Sequence, residues 1–241
     1  MLSTYCLMQL EATINELESF SYSVSHDLRA PLRGINGWSL ALLEDCGDQL
    51  NEQGRKYLDI VRMETVRMGK LIDDLLELSR VSRTDMRHEQ VDLSAMAVSI
   101  VKRLQDAEPD RKVEFFAQPD LTIFGDARLL DVMMANLLGN AWKFTGKKPS
   151  ARIEFGRTET GGQSVYFVRD NGIGFDMSHT EKLFGAFQRM HKASEFPGSG
   201  VGLATVQRIV HRHGGRVWAE GKVDEGATFY FLLPLPHTRI T

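Results

Sequence analysis

"SVYFVRDNGIGF", residues 164–175, carries a β-branched and aromatic run into an aspartate and then into two glycines. The run Ser164 to Asp170 reads as a strand, since such residues suit a pleated, half-buried surface. Upstream, "RIEFGRT" (152–158) reads the same way, and "TGG" (160–162) between them is a tight hairpin turn in which glycine accepts positive φ. Beyond Asp170 the glycines of "DNGIGF" fit two uses. They are turn residues, or they let the backbone come close to a ligand.

Working outward, Leu93 to Asp106 and Asp126 to Phe144 read as helices, with "KVEFFA" and "LTIF" as short strands between them. "GVGLATVQRIVHRHGG" reads as a helix closed by glycine, and "RVWAEG" with "GATFYFLLPLP" as a final strand pair. Helices mixed with antiparallel strands imply an α+β sandwich over about residues 87 to 236.

The N-terminal part differs. Leu10, Ile14, Leu17, Val24, Leu28, Leu32, Ile35, Trp38 and Leu42 step by three, four and seven, a long helical stripe. "EDCGDQLNEQG" breaks it at Gly47 and Gly54, and Tyr57, Val61, Met68, Ile72, Leu75 and Leu76 resume it to about Val81. Two amphipathic helices alone bury too little apolar surface to be stable, so the reading is a hairpin that dimerises into a four-helix bundle. The expected division is 1–85 for the hairpin and 86–241 for the sandwich. Because the chain starts directly in a helical pattern, the expectation is an upstream sensor segment absent from this sequence, joined through a continuing coiled coil.

Composition narrows the classes. The 241 residues are 42% hydrophobic, and the net charge of −3 gives no general pull toward nucleic acid or anionic membrane. Only two cysteines occur, Cys6 and Cys46, without metal-ligand spacing, which points to reduced thiols in a cytoplasmic protein. No stretch reaches the roughly 20 apolar residues of a spanning helix, and the N-terminus lacks the basic start of a signal peptide. His88, His179, His191, His211, His213 and His237 are scattered, and none is assigned a role.

Three clusters fall in the second part: "NLLGNAWKF" (136–144), "DNGIGF" (170–175) and "GSGVGLA" (198–204). Each alone also fits an ordinary turn or helix end, but their order and spacing are hard to obtain by chance. With "SHDLRAPLRGI" near the start and "LFGAFQRMH" (183–191), the chain resembles the catalytic core of a sensor histidine kinase: a dimerisation and phosphoacceptor hairpin followed by a Bergerat-type (GHKL) ATP-binding domain. The five stretches resemble the family's H, N, G1, F and G2 boxes. The segment from Phe187 to Gly221 further resembles soluble, phytochrome-related kinases with PAS- or GAF-type sensors.

The resemblance implies ATP and Mg²⁺ as cofactors. Asp170 is an acceptor-only carboxylate suited to the adenine amine, with Gly172 and Gly174 allowing the backbone near the base. Asn140 offers an oxygen to Mg²⁺, and Asn136 lies on the same helix face. Lys143 would set a cation by the phosphates with Phe144 packing nearby; the lesser alternative is a solvated charge and a plain core ring. Gly198, Gly200, Gly202 and Leu203 open a helix whose first amides would face phosphate. The segment between Phe184 and Gly198, with Arg189, His191, Lys192 and Pro197, matches the mobile ATP lid, and Arg189 is a candidate phosphate contact or else a surface arginine. Thr228 matches a position near the adenine.

His26 is implied as phosphoacceptor, with Asp27 accepting the proton of its second ring nitrogen. Pro31 is expected to bend the helix one turn later. The family often has Thr or Asn where Ala30 stands, and a methyl group cannot orient water, so weak phosphatase activity is expected. The implied partners are a second copy of the chain and a response-regulator receiver domain. Two rivals are a GHKL ATPase in which nucleotide drives dimer closure, and a pseudokinase scaffold that binds a regulator without catalysis.

Overall fold

The computed structural model describes residues 2–83, 85–190, 195–196 and 198–234, with side chains from Ser23 onward except those of His26, Ser82, Arg83 and His179. The chain divides into two compact units, Met1–Arg80 and Val81–Thr241.

The first unit is built from α1 (Leu2–Cys46) and all but the last three residues of α2 (Glu52–Arg83), joined by a 3₁₀ turn at Gly47–Gln49. Helix α1 continues without interruption through Pro31. Gly54, read from sequence as part of the break, lies in the first turn of α2. Its amide donates to Asn51 Oδ1 at 2.8 Å, so Asn51 caps the helix. Leu32 of α1 packs with Ile72 and Leu76 of α2 as the buried cluster of this unit, and the Arg29 guanidinium pairs with Asp73 beside it. Around that small cluster, large apolar side chains face outward, including Trp38 at 80% exposure.

The second unit opens with β1 (Glu89–Asp92), then α3 (Leu93–Ala107), β2 (Val113–Ala117), β3 (Thr122–Gly125), α4 (Ala127–Phe144), β4 (Ala151–Thr160) and β5 (Gln163–Asp170). A 3₁₀ segment at Met177–Lys182, α5 (Gly202–Arg212), β6 (Arg216–Lys222) and β7 (Gly226–Leu232) complete it. The main sheet has five strands in the order β2-β4-β5-β7-β6, parallel only between β2 and β4, whose connection carries α4. Gly161 and Gly162 both take positive φ at the β4–β5 turn, the backbone that a tight hairpin needs. β1, unforeseen because four residues show no clear alternation, pairs antiparallel with β3 as a separate ribbon.

Helices α3, α4 and α5 share one core with a single face of the sheet: Leu130, Met133, Met134, Leu137 and Leu138 meet Ile153, Phe155, Val168, Phe229 and Phe231. On the other face Trp218 stacks on Tyr230, with ring centroids 5.4 Å apart, and Phe167 follows across the next strand. The alternation of β5 therefore places Tyr166, Val168 and Asp170 on the helix side and Phe167 and Arg169 on the outer side.

Candidate nucleotide site

The C-terminal half of α4 is the hub on which the three glycine or amide clusters converge. Its apolar stripe is buried to the last turn, which leaves Asn136, Asn140 and Lys143, spaced by four and three, on one half-buried face. Lys143 Nζ donates to Asn140 Oδ1 at 3.1 Å and sits 4.2 Å from the Phe144 ring centroid. Asn136 Nδ2 donates to the Val132 carbonyl at 2.9 Å, and its Oδ1 faces Gly202, where a Cβ would stand only 2.4 Å away. The first residue of α5 is thus pressed against α4. A Cβ on Gly198 would come within 3.3 Å of Lys143 Nζ.

Asp170 ends β5 at 5% exposure. The Gly172 amide donates to its Oδ1 at 2.8 Å, yet burial outweighs this bond and that from Ala227, and the carboxyl is pushed up to about 6. A carboxylate kept in a poorly solvated place is poised to gain from a donor that arrives with a ligand.

The glycines after Asp170 have a different first use from the one expected. A Cβ on Gly172 would lie 2.6 Å from the Phe144 carbonyl oxygen, and one on Gly174, at φ +59°, would lie 1.9 Å from that of Lys222. Close approach to the chain's own backbone already requires glycine at both positions. The turn is thereby wedged between the end of α4 and the β6–β7 hairpin, with Ile173 N donating to Phe144 O and Asp224 N donating to Ile173 O.

Thr228 requires a correction. It stands opposite Arg169 in the β5–β7 register and accepts from Arg169 Nε at 3.3 Å, whereas Ala227 stands opposite Asp170. The pleat puts Thr228 on the outer face of the sheet, away from the Asp170 carboxyl. Arg189 ties down the loop before α5, its guanidinium donating to Gly198 O at 2.7 Å and to Phe196 O at 2.6 Å. His191, Lys192 and Pro197 lie outside the described residues.

Phe196 escaped the sequence reading. Only 4% exposed, it packs on Phe144 with centroids 5.2 Å apart and receives Lys147 Nζ over its ring at 4.8 Å. The signal was an aromatic side chain inside a glycine- and proline-rich loop. Gly200, at φ +78°, folds that loop against Gln188, and among the described residues no side chain caps α5 at Val201. Leu203 is half-buried against the core.

Two family models match the chain. Residues 125–237 fit the "Histidine kinase-, DNA gyrase B-, and HSP90-like ATPase" family, and residues 16–84 fit the "His Kinase A (phospho-acceptor) domain". The chain belongs to the sensor histidine kinases. Cyanobacterial phytochrome B of Nostoc sp. is 37% identical over 94% of this chain and 30% of its own length. The methanogenesis regulatory histidine kinase FilI of Methanothrix harundinacea is 36% identical over 95% of this chain and 26% of its own. This kinase core thus spans about a third of the length of the curated relatives it matches. Full-length ShkA in complex with AMPPNP superposes with a TM-score of 0.65 at 25% identity, covering 90% of this chain and 45% of that one. The Acinetobacter baumannii histidine kinase AdeS shares the fold, with a TM-score of 0.60 at 19% identity over 88% of this chain and 98% of that one.

In the phosphoacceptor-type hairpin of this histidine kinase, His26 falls within α1, its side chain outside the described part, while Asp27 and Ala30 are exposed. Among the described residues no helix is long and apolar enough to cross a membrane.

Proposed function

We propose that this core is an ATP- and Mg²⁺-dependent histidine autokinase that passes its phosphoryl group to a response regulator. In this reading residues 1–85 form the dimerising phosphoacceptor hairpin and residues 86–241 the nucleotide-binding domain, working in the cytoplasm. The observation that carries it is Asp170: a buried carboxyl at the end of β5, beside a glycine turn braced on the same helix that presents Asn140 and Lys143.

Asp170 accepts the exocyclic amine of adenine, replacing solvation that burial has removed. Lys143 and the first amides of α5 meet the phosphate oxygens; at present Lys143 rests on Asn140, an exchangeable contact. Asn140 supplies an oxygen donor, which fits Mg²⁺, an ion that combines a protein oxygen with phosphate oxygens and water. When bound, the ion neutralises charge on the phosphates and orients them. One ring nitrogen of His26 attacks the γ-phosphorus; the N–P bond forms, the bond to the ADP oxygen breaks, and Asp27 takes the proton of the other nitrogen. Thr228 has no part in this scheme.

The test is labelling with γ-³²P ATP and Mg²⁺, comparing wild type, His26→Gln and Asn140→Ala. The expected result is acid-labile label on the wild type alone. Acid-stable label, or label that survives His26→Gln, would sink the assignment.

A further inference from the structure

At the opposite ends of α4 and α5 from the glycine clusters, a second set of polar groups gathers on the strand of chain that enters the catalytic unit. Asp126, 1% exposed, caps α4 through the amides of Arg128 and Leu129 at 3.1 and 3.2 Å. Its second oxygen accepts from the Arg87 amide at 2.8 Å. The Arg128 guanidinium folds over it at 2.9 Å and reaches the Asp85 carbonyl at 3.1 Å. Burial works against this carboxylate, but the Arg128 side chain and the Arg87 and Leu129 amides outweigh it and hold the group well below the usual range.

The backbone amide of Asp126 is bound as well, donating to His213 Nε2 at 3.0 Å, while His213 Nδ1–H donates to the Ile209 carbonyl at 2.8 Å. His213 terminates α5, so one imidazole joins the start of α4 to the end of α5. Next to it, Arg212 donates to the Val81 carbonyl, Val81 is buried in the catalytic core, and His88 stacks on Phe124 and meets the His213 ring edge-on. Residues 81, 85, 87 and 88 are each held, and Asp126 is the group through which Arg87, Arg128 and His213 all connect.

We infer that Asp126 is a positioning residue for phosphoryl transfer: it fastens the strap of residues 85–88 to the catalytic unit and so backs the Val81 contacts at the point where the covalent tether to the hairpin leaves that unit. The inference rests on the kinase reading above. Physically, Val81 with its Arg212 bond is the first fastening of the entering chain and Asp126 the second; with the second released, any opening of the first frees the whole strap and adds several residues of slack. Slack lowers the effective concentration of the nucleotide site around His26 and loosens its orientation. Asp126 lies roughly 21 Å along α4 from Asn140, so its effect should leave nucleotide binding alone.

Asp126→Asn in the full chain tests this. Asparagine still caps α4 through its oxygen, but its NH₂ cannot accept from Arg87 or pair with Arg128. Tryptic cleavage after Arg87 is expected to rise about tenfold, as a local opening exposes the strap. At saturating ATP the autophosphorylation rate should fall about fivefold with apparent KM unchanged. Arg128→Ala, which removes an exposed side chain and cannot unfold the core, should produce both effects at about a third of that size.

Unchanged cleavage in both variants would show that Asp126 does not hold the strap. Faster cleavage with an unaltered rate would show that the strap does not position transfer. A raised KM would place Asp126 with the nucleotide site instead. If the wild type makes no acid-labile phosphate, the kinase reading falls and the positioning role with it, while cleavage still reports whether Asp126 pins the strap.

Discussion

The hairpin and the catalytic unit bury their apolar residues to very different degrees. The hairpin encloses Leu32, Ile72 and Leu76 and leaves Trp38, Val66, Met63 and Tyr57 at 80%, 64%, 60% and 60% exposure. The catalytic unit sequesters rings and branched chains such as Phe155, Phe231, Leu138 and Ile209 completely. One fold is finished within its own chain, and the other asks for a partner surface. That contrast is what a dimerising hairpin beside a self-contained catalytic domain would show.

Truncating the finished core should break it first. Phe231→Ala removes a fully buried ring and is expected to cost about 3–5 kcal/mol, seen as a lowered denaturation midpoint of the catalytic unit. A loss under about 1 kcal/mol would mean that this core is looser than its burial indicates. Trp38→Ala, a truncation of similar size on the hairpin, should leave that midpoint unmoved. Its expected effect is a dimer dissociation constant raised about thirtyfold in sedimentation, the size of an aromatic anchor at an interface. No change would show that this apolar face is not where the copies meet.

Charge buried in the catalytic unit gives the next tests. Asp170 is raised by burial to about 6, above its unfolded value, so its ionised form is disfavoured in the fold. Because the adenine amine needs the ionised form, ATP affinity should weaken about tenfold between pH 7.5 and pH 5, measured by calorimetry. Asp170→Asn should flatten that profile. In wild type, a flat profile would remove Asp170 from the base contact.

His213 gives the smallest effect. Burial holds its folded-state pKa below the ordinary histidine value, so protonation favours the unfolded chain. Stability should be full above about pH 6.5 and decline as pH falls from there toward the lowered folded value. His213→Gln should abolish that slope in urea titrations at several pH values. A slope that persists would belong to another group.

Several elements were legible because their information is local. The stripe from Leu10 to Leu42, the glycine hairpin at 160–162 and the glycine that closes α5 depend on residues a few positions apart, where periodicity and turn chemistry act directly. The convergence of Asn136, Asn140, Asp170 and Gly202 was reachable only through family resemblance to ordered boxes. Their spacing says nothing by itself about which faces meet. Thr228 shows the limit: one residue along a strand reverses the face, and the pairing of Arg169 with Thr228 decided which.

By itself the sequence determined two helical stripes, a glycine-punctuated α+β unit and the residue types suited to nucleotide chemistry, since periodicity and turn preference are written in neighbouring residues. The tertiary structure alone decided that Gly172 and Gly174 answer to the chain's own carbonyls, that Thr228 turns outward, and that Asp126 and His213, separated by 87 positions, join two helices and a strap. Those are contacts between distant segments, and their energy exists only once the sheet and helices have brought the partners together.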